Sequence, residues 1–200
     1  MVAYIRFVVN SNDETALRRI INLPKRGIGP GTVEKLFLTA EEQGADIWDI
    51  LRHAQELFGG RSAKQIETFV DLIKNFKNTV KNKDGYEAAS IIAKNSGLLK
   101  ELYDDKTVEG LSRFENVQEL LNAIKEFVDD QEREDKSLAS FLQDVALLTD
   151  EDRNNNNEDN VTLMTIHMAK GLEFPYVYVV GLEEELFPSQ MMLSSRADLE

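Results

Sequence analysis

Cysteine is absent from this chain of 200 residues, and the chain also lacks any long apolar run. Without thiols a protein forms neither disulfide bonds nor thiolate metal sites, which fits the reducing conditions of the cytoplasm. No segment approaches the roughly 20 apolar residues that a membrane-spanning helix requires. We therefore expect a cytoplasmic protein with no membrane contact and no disulfide framework.

Positive charge is also scarce. Lysine and arginine contribute 23 residues against 36 aspartates and glutamates, which leaves a formal net charge of −13. A chain of this balance cannot hold nucleic acid by diffuse attraction, because phosphate contacts depend on local Lys and Arg side chains. Any contact with DNA must therefore come from small basic islands on an acidic body.

Two of the four prolines lie in a glycine-rich segment, residues 22–32. Pro24 and Pro30 interrupt helix formation there, and the glycines let backbone N–H groups approach a ligand closely. Lys25 and Arg26 give the segment a positive charge suited to a DNA phosphate, and Thr32 is predicted to cap the following helix. Spacing alone slightly favours an ordinary turn with solvated basic side chains, because short Gly-x-Gly signals are weak.

Most of the chain up to residue 148 carries the repeating apolar pattern of amphipathic helices. The turn at residues 10–13 is predicted to cap a short helix that exposes Arg18 and Arg19. Another helix is predicted to end at residues 95–97, with Gly97 in the left-handed conformation. Capping boxes are predicted to open two long helices, at Ser62 with Gln65 and at Asn116 with Glu119.

The tail differs from the rest of the chain because it holds two short runs rich in β-branched residues, 161–166 and 177–180. Such runs predict strands buried on both faces, inside a sheet covered by helices. The loop between them places His167, Lys170 and Glu173 at a strand end, where open α/β sheets bind their ligands. A structural explanation also fits, since Lys170 and Glu173 can pair across a helical turn and His167 can cap the strand.

The tail sequence resembles motif V of the superfamily 1 DNA helicases of the DNA helicase II type, the UvrD, PcrA and Rep group. The resemblance extends over residues 165–174, T-I-H-M-A-K-G-L-E-F, and continues with G-L-E-E at 181–184 and F-P at 187–188. Residues 26–29, R-G-I-G, look like the hairpin with which the 2B subdomain of these helicases contacts duplex DNA. Residues 95–98, N-S-G-L, resemble a second element of that subdomain near the duplex.

This resemblance implies roles for individual residues. At motif V, Glu173 would bind the ribose hydroxyl of ATP and Gly171 would shape the turn beside it. Thr165 and His167 would contact single-stranded DNA, so one short loop would touch both ligands and couple them. Contacts with duplex DNA are implied for the two 2B-like elements: Lys25, Arg26, Gly27, Ile28, Gly29, Thr32, Ser96 and Gly97.

The resemblance also implies a fold that is mostly α, with a small α/β portion from a RecA-like motor subdomain at the C-terminal end. The domains would then be a truncated helix of the 2A motor subdomain at 1–9, a helical 2B-like subdomain at 10–150, a polar linker at 151–160, and a partial 2A subdomain with motif V at 161–200.

Several parts of a nucleotide site are missing from this sequence. It has no G-x-x-x-x-G-K-[ST] phosphate loop (Walker A), no acidic metal-binding strand (Walker B) and no motif VI arginine segment. We therefore expect the chain to be part of a larger ATP-dependent helicase, which in the family unwinds 3′ to 5′, and to hydrolyse no ATP alone. ATP and Mg²⁺ belong to the parent protein, and we expect no bound cofactor, metal site or catalytic residue within this chain.

Two other interpretations stay open. The chain could be an acidic helical module that docks partner helices and has no DNA role. It could also derive from a helicase relative fused to a nuclease, which would change only the additional domains of the parent. The partners implied by the helicase resemblance are single-stranded and duplex DNA, together with repair or replication proteins.

Overall fold

The structure, a computed structural model, describes residues 1–154, 161–165, 169 and 172–181, with the side chains of the last helix described up to residue 147. The chain divides into two units, Met1–Asn155 and Asn156–Glu200. In the first unit the described residues form α-helices joined by short turns, so the predicted mostly α fold is confirmed. The helices are α1 Val2–Val9, α2 Glu14–Ile20, α3 Pro30–Gln43, α4 Ile47–Arg52, α5 Ala54–Phe58, α6 Gly60–Asn82, α7 Gly85–Asn95, α8 Leu98–Asp104, α9 Val108–Asp129 and α10 Leu138–Asn154.

Capping side chains fix the ends of several helices. The Asp13 carboxylate accepts a hydrogen bond of 2.8 Å from the backbone N–H of Ala16 at the start of α2, as the turn sequence predicts. Gly97 follows α7 with a φ of 84°, so the predicted left-handed glycine is confirmed. Asp84 and Thr107 cap α7 and α9 in the same way as Asp13 caps α2.

Three predicted helix starts are wrong, because each helix begins earlier in the chain. The N-cap of α3 is Gly29 and its first residue is Pro30, so Thr32 lies inside the first turn. Proline suits this position, since its fixed φ is helical and its missing N–H is not needed there. The other two pairs lie within α6 and α9, which begin at Gly60 and Val108: Ser62 with Gln65, and Asn116 with Glu119.

The apolar stripes of the helices meet in a contiguous core. Helix α1 lies at its centre and packs against α2, α6, α7 and α10. The Phe7 ring, which is fully buried, stacks on Phe69 of α6 and meets the edge of Trp48 of α4. None of the described helices is long and apolar enough to cross a membrane.

The described residues of the second unit do not form the predicted buried strands. Residues 161–165 and 177–180 carry no strand pairing, and Val161 and Val180 are 97% and 80% exposed. A strand of this kind gains its stability from neighbouring strands and from helices that cover the sheet. Among the described residues these apolar runs have no such neighbours, and no α/β portion is present. Upstream, α10 extends to Asn154, into the segment predicted as a linker.

Candidate nucleic-acid interface

The segment from Asn22 to Pro30, called the hairpin below, is organised by the side chain of Asn22. Its Oδ1 atom accepts hydrogen bonds from the backbone N–H of Arg26 at 2.7 Å and of Ile28 at 3.3 Å. An asparagine side chain that binds backbone groups a few residues further on replaces the hydrogen bonds that a regular helix would supply. The Leu23–Pro24 peptide bond in this segment is cis. Asn22 thus stabilises the conformation of the hairpin from within the chain.

Both the backbone conformation and the neighbouring atoms require glycine at position 27. Its φ is +76°, in the left-handed region that glycine adopts without steric cost. A Cβ atom at this position would lie 2.5 Å from Nε2 of Gln65 on α6. Gly29 is different, since nothing lies within 4 Å of an added Cβ, and its φ of −70° is open to any residue. The fold therefore requires glycine at position 27, which is exposed, and does not require it at position 29.

Arg26 points into the protein, which differs from its predicted role as a phosphate contact. Its Nη1 atom donates to the carbonyl oxygens of Ile20 at 2.9 Å and Pro24 at 3.1 Å. Its Nη2 atom donates to the Tyr4 hydroxyl at 2.6 Å and to the Ser96 carbonyl oxygen at 3.1 Å. Both terminal nitrogens of the guanidinium therefore donate to acceptors within the protein.

The Tyr4 hydroxyl completes this cluster from α1. It accepts from Arg26 and donates to the carbonyl oxygen of Leu23. Burial raises the pKa of Tyr4, and the nearby positive charge of Arg26 opposes that effect. The hairpin is consequently held to the innermost helix of the fold through a polar cluster.

The two segments that resemble duplex-contacting elements lie against each other. Besides the hydrogen bond between Arg26 and Ser96, an added Cβ at Gly97 would be 3.4 Å from Cγ of Pro24. Ser96 is buried, and its Oγ atom accepts a hydrogen bond of 3.2 Å from the N–H of Leu98. The serine side chain therefore has a structural role in this turn, which we call the Ser96 turn and define as residues 95–98.

The remaining predicted contacts differ in their exposure. Lys25 is exposed and has no ion-pair partner among the described residues. The Ile28 side chain is buried in the core, so only its backbone can face a ligand, and Thr32 is half-buried in the first turn of α3. On α2, Arg19 is exposed, while the Arg18 guanidinium lies 3.6 Å from the centre of the Phe37 ring.

An open groove of about 630 Å³ lies beside the hairpin, between α2 and α3. Its floor is apolar and includes Ile21, Val33 and Phe37, and Glu34 and Glu41 line it as well. The groove and the hairpin share Asn22, Ile28 and Pro30, so the surface around Lys25 is continuous with a groove that carries apolar and acidic side chains and also Arg18.

The motif V segment is described only in part. Thr165 accepts a backbone hydrogen bond of 3.1 Å from Ala169, and Leu172 donates one of 3.0 Å to Ala169. Glu173 is exposed. The predicted site residues His167 and Gly171 lie outside the described residues, as does Lys170.

Sequence comparison places this chain in a family. The family described as UvrD-like helicase C-terminal domain matches residues 1–200. The chain belongs to that family. The match covers both the helical unit and the motif V segment, so the predicted relationship to UvrD-type superfamily 1 helicases is confirmed.

Two curated relatives of this UvrD-like helicase C-terminal domain are named ATP-dependent DNA helicase PcrA. They come from Staphylococcus epidermidis (strain RP62A) and Staphylococcus aureus (strain MRSA252), and each is 37% identical over 203 residues. The alignments cover 100% of this chain but 27% of each relative. The chain therefore spans about a quarter of the length of the relatives that it matches.

Three residues that organise this UvrD-like domain around the hairpin were not predicted from the sequence: Asn22, Gln65 and Tyr4. Asn22 stands directly before a Leu-Pro turn, and an asparagine in that place is a recognised turn signal that could have identified it. Gln65 and Tyr4 act across 38 and 22 residues of sequence, on Gly27 and Arg26 respectively. No local sequence pattern predicts contacts between residues that far apart in the chain.

Proposed function

We propose that this chain forms the duplex-contacting and nucleotide-coupling part of an ATP-dependent DNA helicase. The observation that carries the proposal is the contact between the hairpin and the Ser96 turn, two segments that resemble duplex-contacting elements. The hydrogen bond between them joins Arg26 and Ser96, which are 70 residues apart in the sequence. The exposed Lys25 lies in the hairpin, on a chain whose net charge is −13. The name of the PcrA relatives supports the same function.

The duplex contact that we propose combines one side-chain charge with backbone donors. Lys25 supplies a flexible cation, and Gly27 and Gly29 let the hairpin backbone approach a phosphate. The first turn of α3 adds the positive end of a helix of 14 residues, and Thr32 adds its hydroxyl group. Ser96 and Gly97 extend the surface on its other side. Arg26 and Ile28 belong to this surface through their backbone, since their side chains point inward.

For the motif V segment we propose that residues 161–166 and 177–180 pair as inner strands of a RecA-like sheet in the parent protein. The support is their apolar composition together with the exposure of residues 161–163 and 177–180 in the structure. Val161 is 97% exposed, which is costly for an apolar side chain unless another part of a protein covers it. Glu173 and Gly171 would then face the ATP ribose, and Thr165 and His167 single-stranded DNA.

The corresponding domain proposal assigns residues 10–150 to a 2B-like subdomain and residues 1–9 and 161–200 to the motor subdomain 2A. In the structure α1 is part of the core of the helical unit. Residues 1–9 would therefore be fixed to the 2B part and would connect it to the motor subdomain. The 3′ to 5′ direction and contacts with repair or replication proteins are proposed from the same resemblance.

Fluorescence anisotropy with a labelled DNA duplex tests the duplex contact. We expect the chain to bind, and the logarithm of its association constant to fall linearly with the logarithm of salt concentration. Lys25→Ala should reduce the magnitude of that slope by about 0.9, the value for one phosphate contact. Lys125→Ala, which removes an exposed lysine from α9, is the matched control and should leave the slope unchanged.

The alternative, an acidic helix-docking module, is favoured by the groove between α2 and α3 with its apolar floor. The two functions give opposite results in the same assay. A docking module would bind no duplex at low salt, and Lys25→Ala would change nothing. Such a result from the folded chain would refute the duplex contact.

ATP hydrolysis gives a separate test. We expect no DNA-stimulated ATPase activity from the 200-residue chain, because it carries no phosphate-binding loop. Appreciable turnover by the purified chain, abolished by Glu173→Gln, would contradict the division of the site between this chain and the rest of the parent.

A further inference from the structure

The guanidinium of Arg26 joins four separate parts of the fold. Its acceptors are the end of α2 at Ile20, the hairpin itself at Pro24, the Ser96 turn, and the hydroxyl of Tyr4 on α1. We propose that Arg26 is a positioning residue which fastens the hairpin to the Ser96 turn, so that the two form a single surface. Its importance for DNA rests on the proposed function, but its fastening role does not.

The chemistry of this position calls for arginine. A guanidinium is planar and carries five N–H donors in fixed directions, whereas a lysine ammonium is a single point with three. Here the two terminal nitrogens serve acceptors on opposite sides: Nη1 serves α2 and the hairpin, and Nη2 serves α1 and the Ser96 turn. The Phe69 ring, 5.4 Å from the guanidinium carbon, supports the group from the core. Lysine at this position could not reach all four acceptors at once.

In the described part of the chain, the bond from Arg26 to the Ser96 carbonyl oxygen is the one hydrogen bond that joins the two loops. The hairpin is organised internally by Asn22, and the Ser96 turn is organised internally by the Ser96 hydroxyl. These internal bonds set the shape of each loop, but Arg26 holds both loops against each other and against α1 and α2, so both can open more readily when its guanidinium is lost. Loss of the guanidinium should release both loops together.

Two backbone N–H groups report on this fastening without any ligand. The N–H of Ile28 donates to Asn22 in the hairpin, and the N–H of Leu98 donates to Ser96 in the turn. Exchange of such a hydrogen with solvent requires local opening. In the Arg26→Lys variant of the 200-residue chain we expect both N–H groups to exchange at least tenfold faster by NMR. The N–H of Ile124, in the core part of α9, should exchange at its original rate.

Two outcomes of the exchange experiment would contradict the proposal. If only one loop accelerates, or neither does, Arg26 does not fasten them and the proposal is overturned. Equal acceleration at Ile28, Leu98 and Ile124 would mean general destabilisation and would overturn it too. Tyr4→Phe removes a single hydroxyl and provides a milder variant should Arg26→Lys not fold. It should accelerate Ile28 and Leu98 in the same direction by a smaller factor.

DNA binding then distinguishes a positioning residue from a phosphate contact. We expect Arg26→Lys, which keeps the positive charge, to weaken duplex binding at least fivefold at a temperature where the variant is folded. The double variant Arg26→Lys with Lys25→Ala should lose less affinity than the sum of the two single losses, because displacement of the hairpin already weakens the Lys25 contact. Additive losses, or unchanged affinity of Arg26→Lys, would refute the positioning role.

Failure of the proposed function has a different signature. If the original chain binds no duplex, the duplex contact is refuted, while the exchange rates of Ile28 and Leu98 still decide whether Arg26 fastens the loops.

Discussion

Replacing Gly27 by alanine should destabilise the protein, whereas the same replacement at Gly31 should stabilise it. The φ of Gly27 is +76°, and an alanine in this left-handed region costs about 1–2 kcal/mol. Gly31 lies in the first turn of α3 with nothing within 4 Å of an added Cβ. Alanine there reduces the freedom of the unfolded chain and favours the helix, which contributes about 0.4–1 kcal/mol. The same substitution at two positions four residues apart is thus expected to change the stability of the protein in opposite directions.

Urea unfolding followed by circular dichroism at the helix band measures both free energies. The midpoints of the two variants should lie on either side of the original protein, separated by about 1.5–3 kcal/mol in unfolding free energy. For a chain of this size, each kcal/mol corresponds to about 2–4 °C in thermal midpoint. A Gly27→Ala variant as stable as the original would refute the conclusion that the hairpin requires a left-handed residue.

The Gln65 side chain separates two causes of the Gly27 effect. An alanine Cβ at position 27 would meet Nε2 of Gln65 at 2.5 Å, but that atom is the end of a flexible side chain and can move away. Most of the cost should therefore come from the backbone. In the Gln65→Ala background, Gly27→Ala should still cost about 1 kcal/mol or more. If Gln65→Ala removed the whole effect, steric contact and not backbone strain would be its cause.

Three further changes should have measurable effects. Asp13→Ala should cost about 1 kcal/mol by removing the cap of α2, while Asp13→Asn, which keeps an oxygen acceptor, should cost less in the same urea assay. Gly110→Ala should destabilise by about 1–3 kcal/mol, because its Cβ would lie 2.6 Å from the backbone oxygen of Asp105; near-original stability would contradict that geometry. The raised pKa of Tyr4 means that the folded state holds this proton more tightly than the unfolded state. Its contribution is therefore present below pH 10, the ordinary tyrosine value, and is lost as pH rises beyond it; Tyr4→Phe should show a smaller alkaline loss of stability than the original.

Features that depend on local sequence could be predicted. Buried positions such as Leu17 and Ile20 follow from helical spacing, and Gly97 follows from an Asn-Ser-Gly string at a helix end. Helix starts were less predictable, because Ser62 and Asn116 fit a capping consensus inside helices that begin further upstream. A local consensus cannot exclude such positions when the preceding residues are also able to form helix.

The candidate site was predictable as a set of segments but not as a set of side-chain orientations. The sequence identifies the hairpin and the Ser96 turn, and the structure brings them together. The inward orientation of Arg26 could not be predicted, because its acceptors at Tyr4 and Ser96 are 22 and 70 residues away in the chain. Among the described residues, the predicted strands of the tail are not formed, for a related reason. Strand formation needs neighbours that the sequence of the strand itself does not specify.

The packing of α1 against α10 brings the first and last helices of the helical unit side by side. Under the domain proposal, both helices lead to the motor, so a movement of either connection would act on the contact between α1 and α10.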